Sequence, residues 1–340
     1  MKCRKAIKIS AIVLGVIVVL AFAFSLYLTP GYDRISFPDG KKFAFSICDD
    51  TDASTLENVS PIYRLLDSLG IRTTKTVWVF PSTSEAFPDQ GQTLGDSVYL
   101  DFVLGLRDRG FEIASHGARG GSSKRDETIR SLHVFDSLIG YYPRIYINHY
   151  HNAENLYWGV YRLDYWPLRM LYNLTRDDVD YVGHLPETEF FWGDIAKEYI
   201  EYVPNFSFYE INLRKVNPDI PYHDPKRPYV NFWFHTSDGM DVHAFNDLLS
   251  EENLDKLEEE GGVCIVYTHF AYDFCRNGEI NDTTVERLKD LASREGWFVP
   301  ASEILDYLRE IEKGGNKLSL RQRLYLQFRW IKEKIVYGSS

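Results

Sequence analysis

The sequence predicts an α/β fold, a distorted parallel β/α barrel, and three observations point to it. Short apolar stretches alternate with amphipathic helical stretches from residue 42 to residue 311. Several of the apolar stretches end in Asp or His. No linker, internal repeat or low-complexity tract interrupts residues 31–311, so this segment reads as one domain. The chain of 340 residues is 44 % hydrophobic and 26 % charged, a globular composition that excludes a disordered or fibrous protein.

The elements follow in order. KFAFSICDD (42–50) reads as a buried strand, followed by a helix ending near Gly70. TKTVWVF (74–80) is a second strand, and a helix runs through YLDFVLGLRDRG (99–110). FEIASH (111–116) is a third strand, before a helix over 124–140 with apolar residues at helical spacing. RIYINHYH (144–151) predicts a fourth strand, and the aromatic-rich stretch from Asn155 to Asn173 a helix. Between 178 and 235 the pattern is irregular, with strand candidates at DYVGHL, FSFYEINL and YVNFWFH. Regularity returns with a charged helix (250–260), the strand GVCIVYTHF (262–270), a helix (282–295), WFVP (297–300) and a helix to about Ile311.

Two segments flank this body. Residues 9–28 run ISAIVLGVIVVLAFAFSLYL without a charge, long enough as a helix to span the hydrocarbon core of a bilayer. Lys2, Arg4, Lys5 and Lys8 precede it, so a single-pass anchor with the body on the extracytoplasmic side is expected. A cleaved signal peptide is the competing reading, from Ala21-Phe22-Ala23. Residues 312–340 form a basic tail in which Leu320, Leu324, Phe328, Ile331 and Ile335 recur at helical spacing. That is an amphipathic helix, packed on the body or lying on an anionic membrane surface. The net charge is −11, and with both basic ends set aside residues 31–316 carry about −20, which repels phosphate backbones and excludes nucleic acid as a partner. Of four cysteines, Cys48 and Cys264 lie in apolar runs and read as buried; a Cys264–Cys275 or Cys48–Cys264 bridge is the alternative.

In parallel β/α folds the loops after the strands' C-terminal ends carry the chemistry. Here those ends hold Asp49-Asp50-Thr51-Asp52, His116, His149 and His151, and His269. Carboxylates and imidazoles gathered at one rim suit a divalent cation and acid–base work on a bound water. Adjacent carboxylates point in different directions and can take different jobs. Asp52 reads as the cap of the following helix.

These residues resemble the polysaccharide deacetylases, the NodB-like carbohydrate esterase family 4, over about residues 42–310. S-I-C-D-D is similar to the family's first motif, T-F-D-D, which implies Asp49 as catalytic base and Asp50 as metal ligand. S-H-G-A-R-G matches the second motif, H-S/T-x-x-H, at His116 only; Gly120 stands where the second ligand belongs. I-V-Y-T-H-F resembles the late motif, implying that His269 protonates the leaving group. The third motif, which supplies an Arg to the base, is replaced by I-N-H-Y-H-N-A-E-N-L-Y-W-G.

Strand alternation puts His149 and His151 on one face. The reading adopted here is Asp50, His116 and His149 around Zn²⁺ with an open position for water, the alternative for His149 being a hydrogen bond to substrate or backbone. Arg119 pairs with Asp49, binds an acidic substrate group or is solvated. His151, Asn152, Asn155 and Trp158 are substrate-contact candidates, with helix capping the alternative for the two Asn and packing the alternative for Trp158. The expected activity is metal-dependent hydrolysis of an N-acetyl amide on an envelope or extracellular glycan. The alternatives are a glycan-binding protein that kept the fold and lost the metal, favoured by Gly120, and hydrolysis of a non-sugar amide.

Overall fold

The structure, a computed structural model, describes residues 31–83, 90–173, 179–311 and 316–338. The segment 9–28 and Cys3 lie outside the described residues. Among those residues no helix is long and apolar enough to cross a membrane.

Strand β1 (Phe43–Asp49) is the hub. It pairs in parallel with β2 (Thr74–Val77) and β7 (Gly296–Phe298) on one side, and with β6 (Val263–Thr268) on the other. β2 continues to β3 (Glu112–Ser115), and β6 to β5 (Phe232–Asp238) and then β4 (Tyr202–Phe208), all parallel. Two isolated parallel bridges, Ser115 with Tyr146 and Ile145 with Tyr202, join β3 to β4 and close a ring. The architecture is a distorted parallel barrel.

Alternation along β1 explains its two burials. Phe43, Phe45 and Ile47 enter an outer core with α1 (Leu56–Ser68), α2 (Ser97–Asp108), α7 (Glu251–Glu260) and α8 (Asp282–Ser293). Ala44 and Cys48 join an inner core with Ala114, Ile145, Tyr202 and Ile265, closed by Ile304 and Leu305 of α9 (Ala301–Ile311). Cys48, Cys264 and Cys275 are buried free thiols, so neither bridge forms.

Three expectations are corrected. The fourth strand shrinks to residues 145 and 146, because beyond Ile147 side-chain amides replace the ladder. Asn148 Oδ1 accepts from Leu156 N–H (2.9 Å) and Asn155 Oδ1 from His149 N–H (3.2 Å). The single helix over 155–173 does not form. Tyr157 (φ 49°) and Gly159 (φ 59°) turn the chain through the left-handed region; a short 3₁₀ turn (Gly159–Arg162) follows, and α4 (Trp166–Asn173), with Pro167 in its first turn, is the one α-helix of the stretch. A side chain at Gly159 would meet the Tyr181 ring at 2.8 Å.

The tail helix α10 (Leu320–Tyr337) packs on the body through Leu324, Phe328 and Ile331 of the expected stripe, but the stripe's two ends are exposed and neighbouring residues join the buried face. Tyr325, Leu326, Trp330 and Ile331 are buried against Leu163, Leu168, Phe206 and Phe208, whereas Leu320 and Ile335 of the expected stripe are 68 % and 55 % exposed. Aromatic and amphipathic residues set the buried face here: Trp330 stacks on Tyr172 of α4 at 5.8 Å, and Arg329 pairs with Glu333 at 2.7 Å.

Candidate active site

Two neighbouring carboxylates leave β1 in opposite directions. Asp49 turns outward and is fully enclosed. Its Oδ2 accepts from Tyr63 OH (2.9 Å) and pairs with Lys75 Nζ (2.9 Å), and its Oδ1 accepts from Phe270 N–H (2.8 Å). Neither Asp49 nor Lys75 has any exposed side-chain surface. The expected base therefore lies in a structural ion pair. Asp50, one residue on, faces the barrel mouth with Cys48.

The chain then bends through Ala53 (φ 52°), which brings Asp52 back over the rim. Asp52 is not the cap of α1. Thr55 takes that place, its hydroxyl accepting from Asn58 N–H while Asn58 Oδ1 accepts from Thr55 N–H. The Thr55-x-x-Asn58 box was the signal in the sequence that freed Asp52 for other work.

Asp52 is the centre of the site. His149 Nε2 lies 2.6 Å from its Oδ1, and His116 Nε2 and His269 Nε2 lie 3.1 and 3.3 Å from its Oδ2. Asp50, Asp52, His116, His149 and His269 are each no more than 6 % exposed. Ligand atoms of Asp52, His116 and His149 fall within 4.8 Å of one another, and so do those of Asp50, Asp52 and His269.

The electrostatics divide these groups. Burial pushes the Asp50 carboxyl up to about 6, against the opposing pull of His116 and His269. Burial would also raise Asp52, but His149 and His116 hold it well below the usual carboxylate range. Burial would lower His269, yet Asp52, Asp50 and the Met240 carbonyl, which accepts from Nδ1 at 2.8 Å, bring it to about 9. His149, likewise opposed by burial, is raised by Asp52.

The donor set fits a divalent cation. Two imidazoles and a carboxylate converge, and two buried polar atoms beside them, Asp50 Oδ1 and His116 Nδ1, have no hydrogen-bond partner and lie 3.9 Å apart.

The cluster floors a cavity of about 330 Å³, walled by Trp158, Phe206, Tyr267 and Tyr272 and by Tyr172 and Lys334 from α4 and α10. Arg162 sits in the same wall with its guanidinium 3.5 Å from the Trp158 ring centre. Of the residues predicted from sequence, Asp50, His116, His149, His269 and Trp158 come together here, while Asp49, Arg119, His151, Asn152 and Asn155 do not line the cavity. Arg119 pairs with Glu127 at 3.0 Å, and His151 packs its ring 4.3 Å from Tyr150. Asn152 and Asn155 are buried and spend their amides inside the protein: Asn152 Nδ2 donates to the Arg119 carbonyl at 2.9 Å and to Glu154 Oε1 at 3.1 Å, and Asn155 bonds both the N–H and the carbonyl of His149. Sequence reasoning missed Asp52 and the cavity wall supplied by Tyr172, Phe206, Tyr267 and Lys334.

No family model matches the sequence, and no curated protein matches it. Among solved structures, a Mycobacterium smegmatis protein assigned to the polysaccharide deacetylases aligns with a TM-score of 0.53 at 14 % identity, over 86 % of this chain and 98 % of that one. The fold is the polysaccharide-deacetylase fold. A Pseudomonas aeruginosa PAO1 protein assigned to the same class (12 % identity, 82 % of this chain and 95 % of that one) and the allantoinase Puue (13 %, 82 % and 94 %) both have TM-scores of 0.49 and add nothing to this assignment. On that fold, the rim that carries Asp50, Asp52, His116, His149 and His269 is the candidate active site.

Proposed function

We propose that the protein is a metal-dependent hydrolase that removes N-acetyl groups from a glycan. The observation that carries the reading is one rim bearing a cation-competent set, Asp52, His116 and His149, beside an acid and a base with opposite electrostatics, His269 and Asp50. Asp52, His116 and His149 would hold the cation, and zinc suits two imidazoles and a carboxylate with an open position. When bound, such a cation polarises the acyl carbonyl and makes a water more acidic.

The chain's own groups do the rest. Asp50, ionised above about pH 6, accepts the proton of the water whose oxygen attacks the acyl carbon. His269, protonated below about pH 9, gives its Nε2 proton to the nitrogen as the C–N bond breaks, so that acetate and an amine leave. Met240 O fixes the His269 ring by accepting from Nδ1. Trp158 and Tyr172 offer faces on which a sugar ring stacks. Residues 9–28 are proposed as the single-pass anchor that holds this body on the extracytoplasmic side.

The test is zinc content together with acetate release from N-acetylated amino-sugar oligomers, beside a panel of small cyclic amides. Asp52→Ala and His149→Ala should lose both metal and activity, whereas Asp50→Asn and His269→Gln should keep the metal and lose the activity. No stoichiometric metal after zinc is added back would overturn the mechanism. Turnover of cyclic amides alone would remove the glycan from it.

A further inference from the structure

His149 replaces a ligand that the second motif lacks at Gly120, and a substitute ligand needs its ring held in one tautomer. Asn152 is placed to do this. Its amide orientation is fixed by groups of unambiguous polarity. Gly121 N–H, which can only donate, points at Oδ1 (2.8 Å), and the Arg119 carbonyl, which can only accept, receives Nδ2 (2.9 Å). Nδ2 also donates to Glu154 Oε1 at 3.1 Å. The oxygen therefore faces His149 Nδ1, 3.1 Å away. An oxygen there accepts, so Nδ1 carries a proton and Nε2 is the nitrogen turned to the centre, 2.6 Å from Asp52 Oδ1, where a bound cation would stand in place of an Nε2 proton.

We infer that Asn152 is a positioning residue: its side-chain oxygen holds His149 in the Nδ1–H tautomer that lets Nε2 ligate, while the same amide clamps the loop at Arg119 and Gly121 that has no second histidine. The inference rests on the metal reading of the cluster, and on the amide geometry for the ring nitrogen that is left to ligate. Glu154, fully buried with one oxygen on Asn152 and the other accepting from Ser123 N–H at 2.9 Å, holds the amide from behind.

Two variants of the full-length protein separate this role from a purely structural one. Asn152→Ala removes the acceptor and should weaken zinc binding about 10–100-fold. Asn152→Asp keeps an acceptor toward Nδ1 and Gly121 but loses the donor to the Arg119 carbonyl, so it should lower thermal stability while zinc affinity stays within about 3-fold. Nitrogen-15 spectra of the zinc-loaded His149 ring should show the proton on Nδ1 in wild type and Asn152→Asp. Zinc held through Nδ1 in wild type would overturn the inference, as would affinity lost in step with stability in both variants. If wild type binds no zinc, the metal reading fails and takes this inference with it, an outcome that the zinc titration of wild type reports by itself. If Asn152→Ala does not fold, the Asp variant and the wild-type spectra carry the decision.

Discussion

Exchanging each of two adjacent carboxylates for its amide should produce opposite results. Asp49→Asn removes the charge that neutralises Lys75, a lysine with no exposed side-chain surface, and weakens the acceptor for Tyr63 OH and Phe270 N–H. Breaking a buried pair by removing one partner costs about 3–5 kcal/mol. Asp50→Asn acts the other way. Burial pushes the Asp50 carboxyl up to about 6 in the folded chain, against 3.8 for a free aspartate side chain. A difference near two pK units is about 3 kcal/mol. The folded state binds this proton more tightly than the unfolded one, so the penalty is absent below pH 3.8, grows through pH 6 and is complete at pH 7. The metal-free Asp50→Asn variant should therefore be about 2–3 kcal/mol more stable than wild type at pH 7, and equal to it near pH 4. Urea unfolding of the metal-free proteins at both pH values measures this. Deacetylation should fall about 10²–10⁴-fold in Asp50→Asn, where the base is lost, and no more than about 10-fold in Asp49→Asn. Loss of activity in Asp49→Asn at unchanged stability would refute the reasoning and return the base to Asp49.

Other consequences follow from the same geometry. His269→Gln keeps a side chain near Met240 O but has no titrating proton; turnover should drop about 10²–10⁴-fold with zinc content unchanged, as metal analysis and acetate release would show. Burial lowers His235 to about 3 and His184 to about 4, so the unfolded chain binds their protons first as pH falls below 6.5. Stability should then be lost on acidification at about 1.4 kcal/mol per pH unit per group, and His235→Gln should flatten that slope in a pH series of unfolding curves. Trp330→Ala empties a fully buried site under Tyr172 and Arg162; it should cost about 3–5 kcal/mol in denaturant unfolding and raise KM through the cavity wall. Zinc at 1,000 times its Kd should stabilise the chelator-treated protein by about 4 kcal/mol, read as a rise in Tm that Asp52→Ala abolishes.

The parts legible in the sequence were those governed by local pattern. β1, β2, β3 and β6 lie within the predicted stretches because continuous apolar runs of this length admit few other uses, and His116, His149 and His269 follow from where those runs end. What failed was decided by tertiary competition. The carboxylate to which each role belongs depends on alternation counted from Cys48, a one-residue question: Asp50 shares the inward face with Cys48, and Asp49 does not. The ends of the tail's stripe were misread, because Tyr325 and Trp330 bury more surface than Leu320 and Ile335, while Leu324, Phe328 and Ile331 pack as expected. Asn152 and Asn155 looked like caps or substrate contacts because a sequence does not show which backbone groups are left unpaired; here Asn155 satisfies those of His149, beyond a fourth strand that stops early, and Asn152 those of Arg119 and Gly121 in the loop after the third strand.

The proposed replacement of a ligand between motifs has a simple geometric basis. In a closed parallel ring, residues just past the ends of adjacent strands are neighbours at the rim, however far apart they lie in sequence. Ser115 bridges Tyr146, so the backbone at His116 and the backbone leading to His149 run side by side, and the two imidazole centres stand 5.1 Å apart. A histidine supplied by the fourth strand end can therefore reach the centre that a histidine one turn beyond His116 would otherwise serve. The exchange also explains the crowd of asparagines. A ligand on a loop turn is oriented by that turn, whereas a ligand on a strand that ends early needs its backbone and ring fixed by side chains. Asn155 holds the His149 backbone and Asn152 its ring. On the proposed reading, Gly120 stands where His149 makes a second ligand unnecessary, and it is not by itself evidence of a lost metal site.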